Sequence, residues 1–152
     1  MKIFFAAPFT GKIDPKTKQV ETEYRDWLHN IHLELSNNGY KIISAHERED
    51  WGNALDTPND AIFNDYTSIK ESDMLIAYIG NPPSYGVQME IGFAVALKKP
   101  ILILRNTNVQ LPYLVPGLGR VTRATEIVIE QQNNLARMLL DSIRNFEKPK
   151  TT

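Results

Sequence analysis

The sequence contains no cysteine. That absence removes disulfides, thiolate nucleophiles and cysteine-based zinc sites together. Neither sign of charge is in excess: 17 Lys and Arg stand against 18 Asp and Glu, a formal net charge of −1. A chain so balanced has no long-range field for a nucleic-acid polymer or an anionic membrane, so neither is expected as a partner. Long hydrophobic runs are also missing. The opening MKIFFAAPF looks like a secretion signal only as far as Pro8. No small-residue cleavage site follows it, and no stretch approaches the length of a membrane span. A cytoplasmic protein is the expectation. Neither a G-x-G-x-x-G nor a Walker pattern occurs, which excludes the familiar glycine loops for nucleotides. His46 beside Glu47 and Glu49 lacks the i, i+4 spacing and the third ligand of a zinc site. No metal and no organic cofactor is expected.

What is present is ordinary in amount and ordered in pattern. Hydrophobic residues make up 42% of 152 and charged residues 23%, values of a soluble globular chain. That length suits one domain, which buries roughly 70% of its unfolded surface. Ile3 to Ala7, Tyr40 to Ser44, Met74 to Ile79, Ile101 to Leu104 and Glu126 to Ile129 read as strands. Between them, helical spacing runs from about Val20 to Asn37, from Pro58 to about Glu71, from Tyr85 to the Lys98-Lys99-Pro100 stop, and from Asn133 to Phe146. Asn37-Asn38-Gly39 ends the first helix, and Thr57-Pro58 supplies an N-cap and first position for the second. Strands apolar on both faces that alternate with helices predict a parallel sheet covered on both sides. The fold expected is α/β: one Rossmann-like or flavodoxin-like doubly wound domain over residues 1–147, with about five mainly parallel strands. Residues 148–152 are expected to be a disordered tail.

Such folds bind ligands at the carboxyl ends of their strands. Three suspect segments fall on that edge: Pro8-Phe9-Thr10-Gly11, the His46 to Trp51 part of the long polar loop AHEREDWGNALD, and Asn81 to Gly86. The helix opening at Tyr85 is apolar nearly all round, yet carries Glu90, with no Lys or Arg three or four positions away. A buried acid without a partner is uncommon outside functional sites, so Glu90 is read as a nucleophile, against the plainer reading of a structural carboxylate paired at a distance. Ser84 and Gly86 stand at that helix's N-terminus, where free N–H groups and the dipole favour phosphate. They also read plainly as an N-cap and a turn residue. Asp65 is a second acid for protonating a departing base, or simply an exposed helix residue near Lys70. In the loop, Arg48 suits phosphate or base, Trp51 suits stacking, and His46 is more simply a surface residue. Phe4, Phe9 and Tyr85 are candidates for a base pocket or for core. Asp73, at the start of a strand, reads as a hydrogen-bonder.

Four segments, AAPFTG, SAHERED-W-G, ND…IKESDMLIAY and PPSYGVQMEIG…KKPILIL, resemble the nucleoside 2-deoxyribosyltransferase superfamily, over Ile3 to about Leu118. The likeness is nearest to its branch of nucleoside 5'-monophosphate N-glycosidases, which holds CMP and hydroxymethyl-CMP hydrolases and 2'-deoxynucleoside 5'-phosphate N-hydrolases. The resemblance implies Glu90 as the catalytic acid, Asp65 as the base-side acid and Asp73 as the strand-edge Asp. Six residues before the catalytic Glu, transferases usually carry an Asp and monophosphate hydrolases a Ser. This chain has Ser84, and an Asp there would repel a phosphate dianion. Where the hydrolases commonly have Arg in the first loop, this chain has Thr10, with Arg48 and Lys12 as the cations that would stand in. The resemblance further implies a homodimer or larger homo-oligomer in which a neighbour completes the pocket. The expected activity is hydrolysis of a nucleoside 5'-monophosphate, CMP or a close relative, through a covalent glycosyl-enzyme on Glu90. The alternatives are a deoxyribosyltransferase and a nucleotide-binding sensor without turnover.

Overall fold

The continuous apolar runs become strands because helices cover both of their faces. The structure, a computed structural model, describes residues 1–130 and 134–148. In it β1 (Lys2–Ala6), β2 (Lys41–Ile43), β3 (Met74–Ile79), β4 (Ile101–Asn106) and β5 (Ala124–Ile129) pair in the order β2-β1-β3-β4-β5, every pair parallel. That is the flavodoxin-like doubly wound order, whose direction reverses between β1 and β3. The expected fold class is the observed one.

Alternate strand residues divide between two cores. Ile3, Phe5, Met74, Ile76, Leu102 and Leu104 pack with Leu28, Ile31 and Leu35 of α1 (Thr22–Asn37) and Leu139 and Ile143 of α5 (Leu135–Glu147). On the other face, Phe4, Leu75, Ala77, Ile101 and Ile103 pack with Ile69 of α3 (Pro58–Glu71) and Val87, Ile91 and Ala94 of α4 (Tyr85–Ala96). Each fully buried Leu, Ile or Phe contributes about 1.5–3 kcal/mol. Both faces of the sheet are thus committed to packing, and only its ends are free for chemistry.

Local signals set most boundaries. Thr57 Oγ1 accepts from Asp60 N at 3.2 Å and donates to Asp60 Oδ2 at 2.7 Å, fixing the start of α3. Gly39, at φ +88°, ends α1 in the left-handed conformation that suits glycine. The first helix begins two residues later than its apolar spacing suggests. Val20 instead forms a bridge with Ile13 and is buried, closing a loop in which Asp14 Oδ1 accepts from Lys16 N and Thr17 N. The segment expected to be a plain polar loop contains a short helix, α2 (Ala45–Arg48), and then a tight turn over Asp50–Gly52. Asp50, Trp51 and Gly52 all have positive φ, of 46°, 54° and 104°. A Cβ on Gly52 would lie 2.9 Å from Lys18 O, so glycine is required there. Asn133, the expected start of the last helix, lies outside the described residues, as does the expected disordered tail apart from Lys148. Among the described residues, no helix is long and apolar enough to cross a membrane.

Candidate active site

The first loop, the segment after β2, α3 and the N-terminus of α4 meet at the carboxyl ends of β1 and β3. They enclose a cavity of about 290 Å³. Phe9, Thr10, Asp65, Ser84, Gly86 and Glu90 all line it, so six of the residues singled out from the sequence share one site.

Glu90 reaches the cavity because of its place on α4. Val87, Ile91 and Ala94 face the sheet, and Glu90 lies on the flank where α4 meets α3. The residue is only 8% exposed, and among the described residues no hydrogen bond or ion pair to its carboxylate is found. Burial pushes its pKa well above the ordinary carboxylate value, and Asp65 pushes it further, against a smaller pull from Arg48. Asp65 is raised too, first by burial, with Arg48 drawing it down and Asp56 opposing that. Both acids therefore favour the protonated form more than free carboxylates do. This is an arrangement for moving a proton.

At the other end, Ser84 is the N-cap of α4 and its Oγ accepts from Val87 N, at a long 3.5 Å. The two readings of Ser84 are therefore compatible: it caps the helix and it faces the cavity. Gly86 keeps the first turn open. A Cβ there would meet nothing of the protein closer than Ser84 Oγ at 3.6 Å. Free N–H groups of this turn and the hydroxyls of Ser84 and Thr10 form the polar end of the cavity.

Several predicted residues are placed elsewhere. Phe4 is fully buried in the core beneath α3 and α4 and does not line the cavity. Trp51 is packed into the α1 side, with His46 at 5.6 Å and the Arg25 guanidinium 5.7 Å above its ring, so no face of it meets the cavity. His46 is not a surface residue. It is 1% exposed, edge-on to Phe9, with Nε2 at 3.1 Å from Pro8 O. Pro8 acts through that carbonyl, which also accepts from Tyr24 OH at 2.8 Å. It anchors the first loop and does not line the cavity. Gly11 lies in the turn Thr10–Lys12, off the cavity. Asp73 precedes β3, at the opposite edge of the sheet, where its Oδ2 accepts from Lys2 N at 2.6 Å. Tyr85 is 92% exposed and outside the cavity lining. Arg48 turns to carboxylates instead of the cavity, and Lys12 lies over the Tyr24 ring and 3.8 Å from Glu21. Neither replaces the first-loop Arg, and among the described residues no Lys or Arg lines the cavity.

The sequence pattern did not point to Glu49 or Asp56, both of which line the cavity. Glu49 is 6% exposed and its pKa is raised, chiefly by burial. Its Oε1 accepts from Arg48 Nη2 at 3.2 Å and its Oε2 from Asp56 N at 3.3 Å. A signal was available in the density of acids between Glu47 and Asp56, which resembles a solvated loop until one member is seen to be buried.

Residues 3–139 match the family described as nucleoside 2-deoxyribosyltransferase. Among solved structures, BlsM is 28% identical with a TM-score of 0.84, over 99% of this chain and 96% of its own. The CMP N-glycosidase BcmB of Clostridium botulinum shares the fold at 24% identity and a TM-score of 0.69, over 91% of this chain and 98% of its own. A 2-deoxyribosyltransferase of Bacillus psychrosaccharolyticus shares it at 19% and 0.60, over 90% of each chain. No curated protein matches the sequence. With nine-tenths of its length matched and the acids gathered at the switch point of a flavodoxin-like sheet, the chain belongs to the nucleoside 2-deoxyribosyltransferase family.

Proposed function

We propose that the protein hydrolyses the N-glycosidic bond of a nucleoside 5'-monophosphate, CMP or a close pyrimidine relative, to free base and (deoxy)ribose 5-phosphate. One observation carries this reading: Glu90 is buried, faces the cavity and, among the described residues, has no cation paired to it, six residues along α4 from the N-cap Ser84. Six residues of helix span about 9 Å, so a phosphate seated at the helix tip and a sugar carbon above Glu90 belong to one ligand. The likeness to a CMP N-glycosidase, at a higher TM-score than that to a 2-deoxyribosyltransferase, supports the hydrolase reading.

In the mechanism, Ser84, Thr10 and the first-turn N–H groups hold the phosphate. The Glu90 carboxylate attacks C1'. As the C1'–N bond breaks and the C1'–O bond forms, the proton kept by the acid pair passes through Asp65 to the departing base. Water, deprotonated by Asp65, then cleaves the glycosyl ester. The sugar phosphate leaves with retained configuration and the proton returns to the pair. No step requires a metal or an organic cofactor.

The lack of a cavity-lining cation favours a second reading, transfer from an unphosphorylated nucleoside to another base. Incubation with matched monophosphates and nucleosides, with and without a labelled acceptor base, separates the two by chromatography of the products. Free base from monophosphates alone is the expected result. Equal release from nucleosides removes the role given to Ser84, and release from none leaves a binding protein without turnover. The protein also acts as a homodimer in this reading, because Ile62, Phe63 and Tyr66 on α3 and Tyr85 and Met89 on α4 are exposed beside the cavity. A second copy laid there would complete the phosphate end. Sedimentation gives the mass, and a monomer would end that part of the proposal.

A further inference from the structure

One cation serves three acids behind the cavity wall. Arg48 Nε donates to Asp56 Oδ2 at 2.9 Å and Nη2 donates to Glu49 Oε1 at 3.2 Å. Nη1 lies 3.0 Å from Asp65 Oδ1, an ion pair whose N–H is not aligned for a hydrogen bond. All three nitrogens of the fork are engaged, so the guanidinium is spent within the wall. The cluster is tied further by Asn64 Nδ2, which donates to Asp56 Oδ2 at 3.0 Å. The charged groups around Asp65 are therefore Arg48, Glu49 and Asp56 from the segment after β2 and Glu90 from α4. Four carboxyl groups share one positive charge.

We propose that Arg48 is a positioning residue that acts on the reaction through Asp65, holding Oδ1 in the wall so that only Oδ2 addresses the ligand, and dividing its charge among three acids so that Asp65 is only partly neutralised. The inference deepens the glycosidase reading and rests on it for the meaning of the Asp65 proton, but the charge arrangement stands alone. A full, unshared Arg–Asp pair would leave Asp65 a firm carboxylate, unable to hand a proton to a base. No cation at all would leave a cluster of mutually repelling acids.

Charge sharing makes a prediction of opposite signs. Arg48 draws Asp65 down and Asp56 raises it, while Asp56 itself is kept ionised by its bond from Asn64 and by Arg48. In Arg48→Gln, Asp65 should titrate at higher pH. In Asp56→Asn it should titrate at lower pH, since a repelling charge is lost and more of Arg48 is available. Arg48→Lys, which restores charge without the fork, should lie near the unaltered protein.

The test is a carboxyl-carbon NMR titration of these proteins beside the pH dependence of base release from CMP. The acid limb of kcat/KM should move in the same order. In Arg48→Gln, kcat should fall about tenfold or more while KM changes less than about threefold, because no ligand contact is lost. A KM raised more than about tenfold with an unmoved Asp65 titration makes Arg48 a ligand contact and overturns the proposal. So do shifts of the same sign in Arg48→Gln and Asp56→Asn. If Arg48→Gln does not fold, the sign in Asp56→Asn decides. If the unaltered protein releases no base, the glycosidase reading fails, while the NMR titrations still judge the charge sharing.

Discussion

The histidines on the α1 side and the carboxylates that line the cavity lie at the same end of the sheet, yet are built differently. His46, 1% exposed, rests a ring nitrogen on the Pro8 carbonyl, and His32, 2% exposed, sets Nδ1 at 2.8 Å from Glu47 Oε1. Burial holds His46 down to about 4, so its ring is neutral at physiological pH, wedged among Phe9, Tyr24 and Trp51. Across β1, Glu90, Asp65 and Glu49 are raised by the same desolvation, and one guanidinium is shared where three or four would be needed for balance. A neutral polar group tied to a carbonyl fixes a loop. An acid left short of cations keeps a proton that it can give away.

The most severe way to break this contrast is Glu90→Gln. Base release should fall by at least about 10³-fold, since no carboxylate remains to attack C1'. Stability should rise above neutrality. The native state holds the Glu90 carboxyl above its unfolded value, so its contribution is present below about pH 4.5 and is lost as pH climbs through the native value. Glu90→Gln removes that loss, and melting curves against pH should show the two proteins converging in acid and diverging in base. Full activity in the variant would leave the nucleophile unassigned. Asp65→Asn should cost less, about 10²-fold, the usual scale for one proton donor. Its glycosyl-enzyme should accumulate for detection by intact mass, because the same residue activates the water.

The contrast also explains what was legible in the sequence. The strands were, because an apolar run between turn signals has few other uses, and their parallel pairing followed from the alternation with helices, whereas the order β2-β1-β3-β4-β5 did not. The position of Glu90 was, because one acid interrupts an otherwise apolar helix. The loop from Ala45 to Asp56 was not. Its first four residues make a helical turn and Asp50, Trp51 and Gly52 take left-handed backbone, so neighbours in sequence face opposite ways: His46 and Trp51 into the α1 side, Glu49 into the cavity. Arg48 was read as a ligand contact because its partners Asp56 and Asp65 are 8 and 17 residues further along, beyond any local pattern. Phe4 was misplaced for a simpler reason. In a strand buried on both faces, apolar residues carry no mark of which end, or which side, meets a ligand.

The histidine side should respond with the opposite pH slope. His46 is depressed in the native state from its ordinary 6.5 to about 4, so its contribution is intact above pH 6.5 and is lost as pH falls toward 4, a difference of up to about 3 kcal/mol. Replacing His46 by Gln should flatten this acid-side loss while leaving the Glu90-dependent decline at higher pH. Trp51→Ala should lower stability by about 3–5 kcal/mol, read from denaturant midpoints, with kcat per folded molecule little changed. A large loss of activity in folded Trp51→Ala would place the tryptophan in the site after all.

The smallest effect sharpens the comparison most, because stability and activity should part company. Gly86 sits inside the first turn of α4 with ordinary helical backbone, and its position has room for a methyl group as far as the protein is concerned. Alanine there should stabilise the fold by up to about 1 kcal/mol, the usual helix preference. A ligand phosphate pressed against the same turn would meet that methyl directly, since glycine allows a closer approach to the backbone than any other residue. KM for CMP should therefore rise severalfold while kcat changes less. The matched nucleoside, having no phosphate to seat, should lose nothing further. If alanine at position 86 leaves KM for the monophosphate untouched, the phosphate does not lie over the tip of α4.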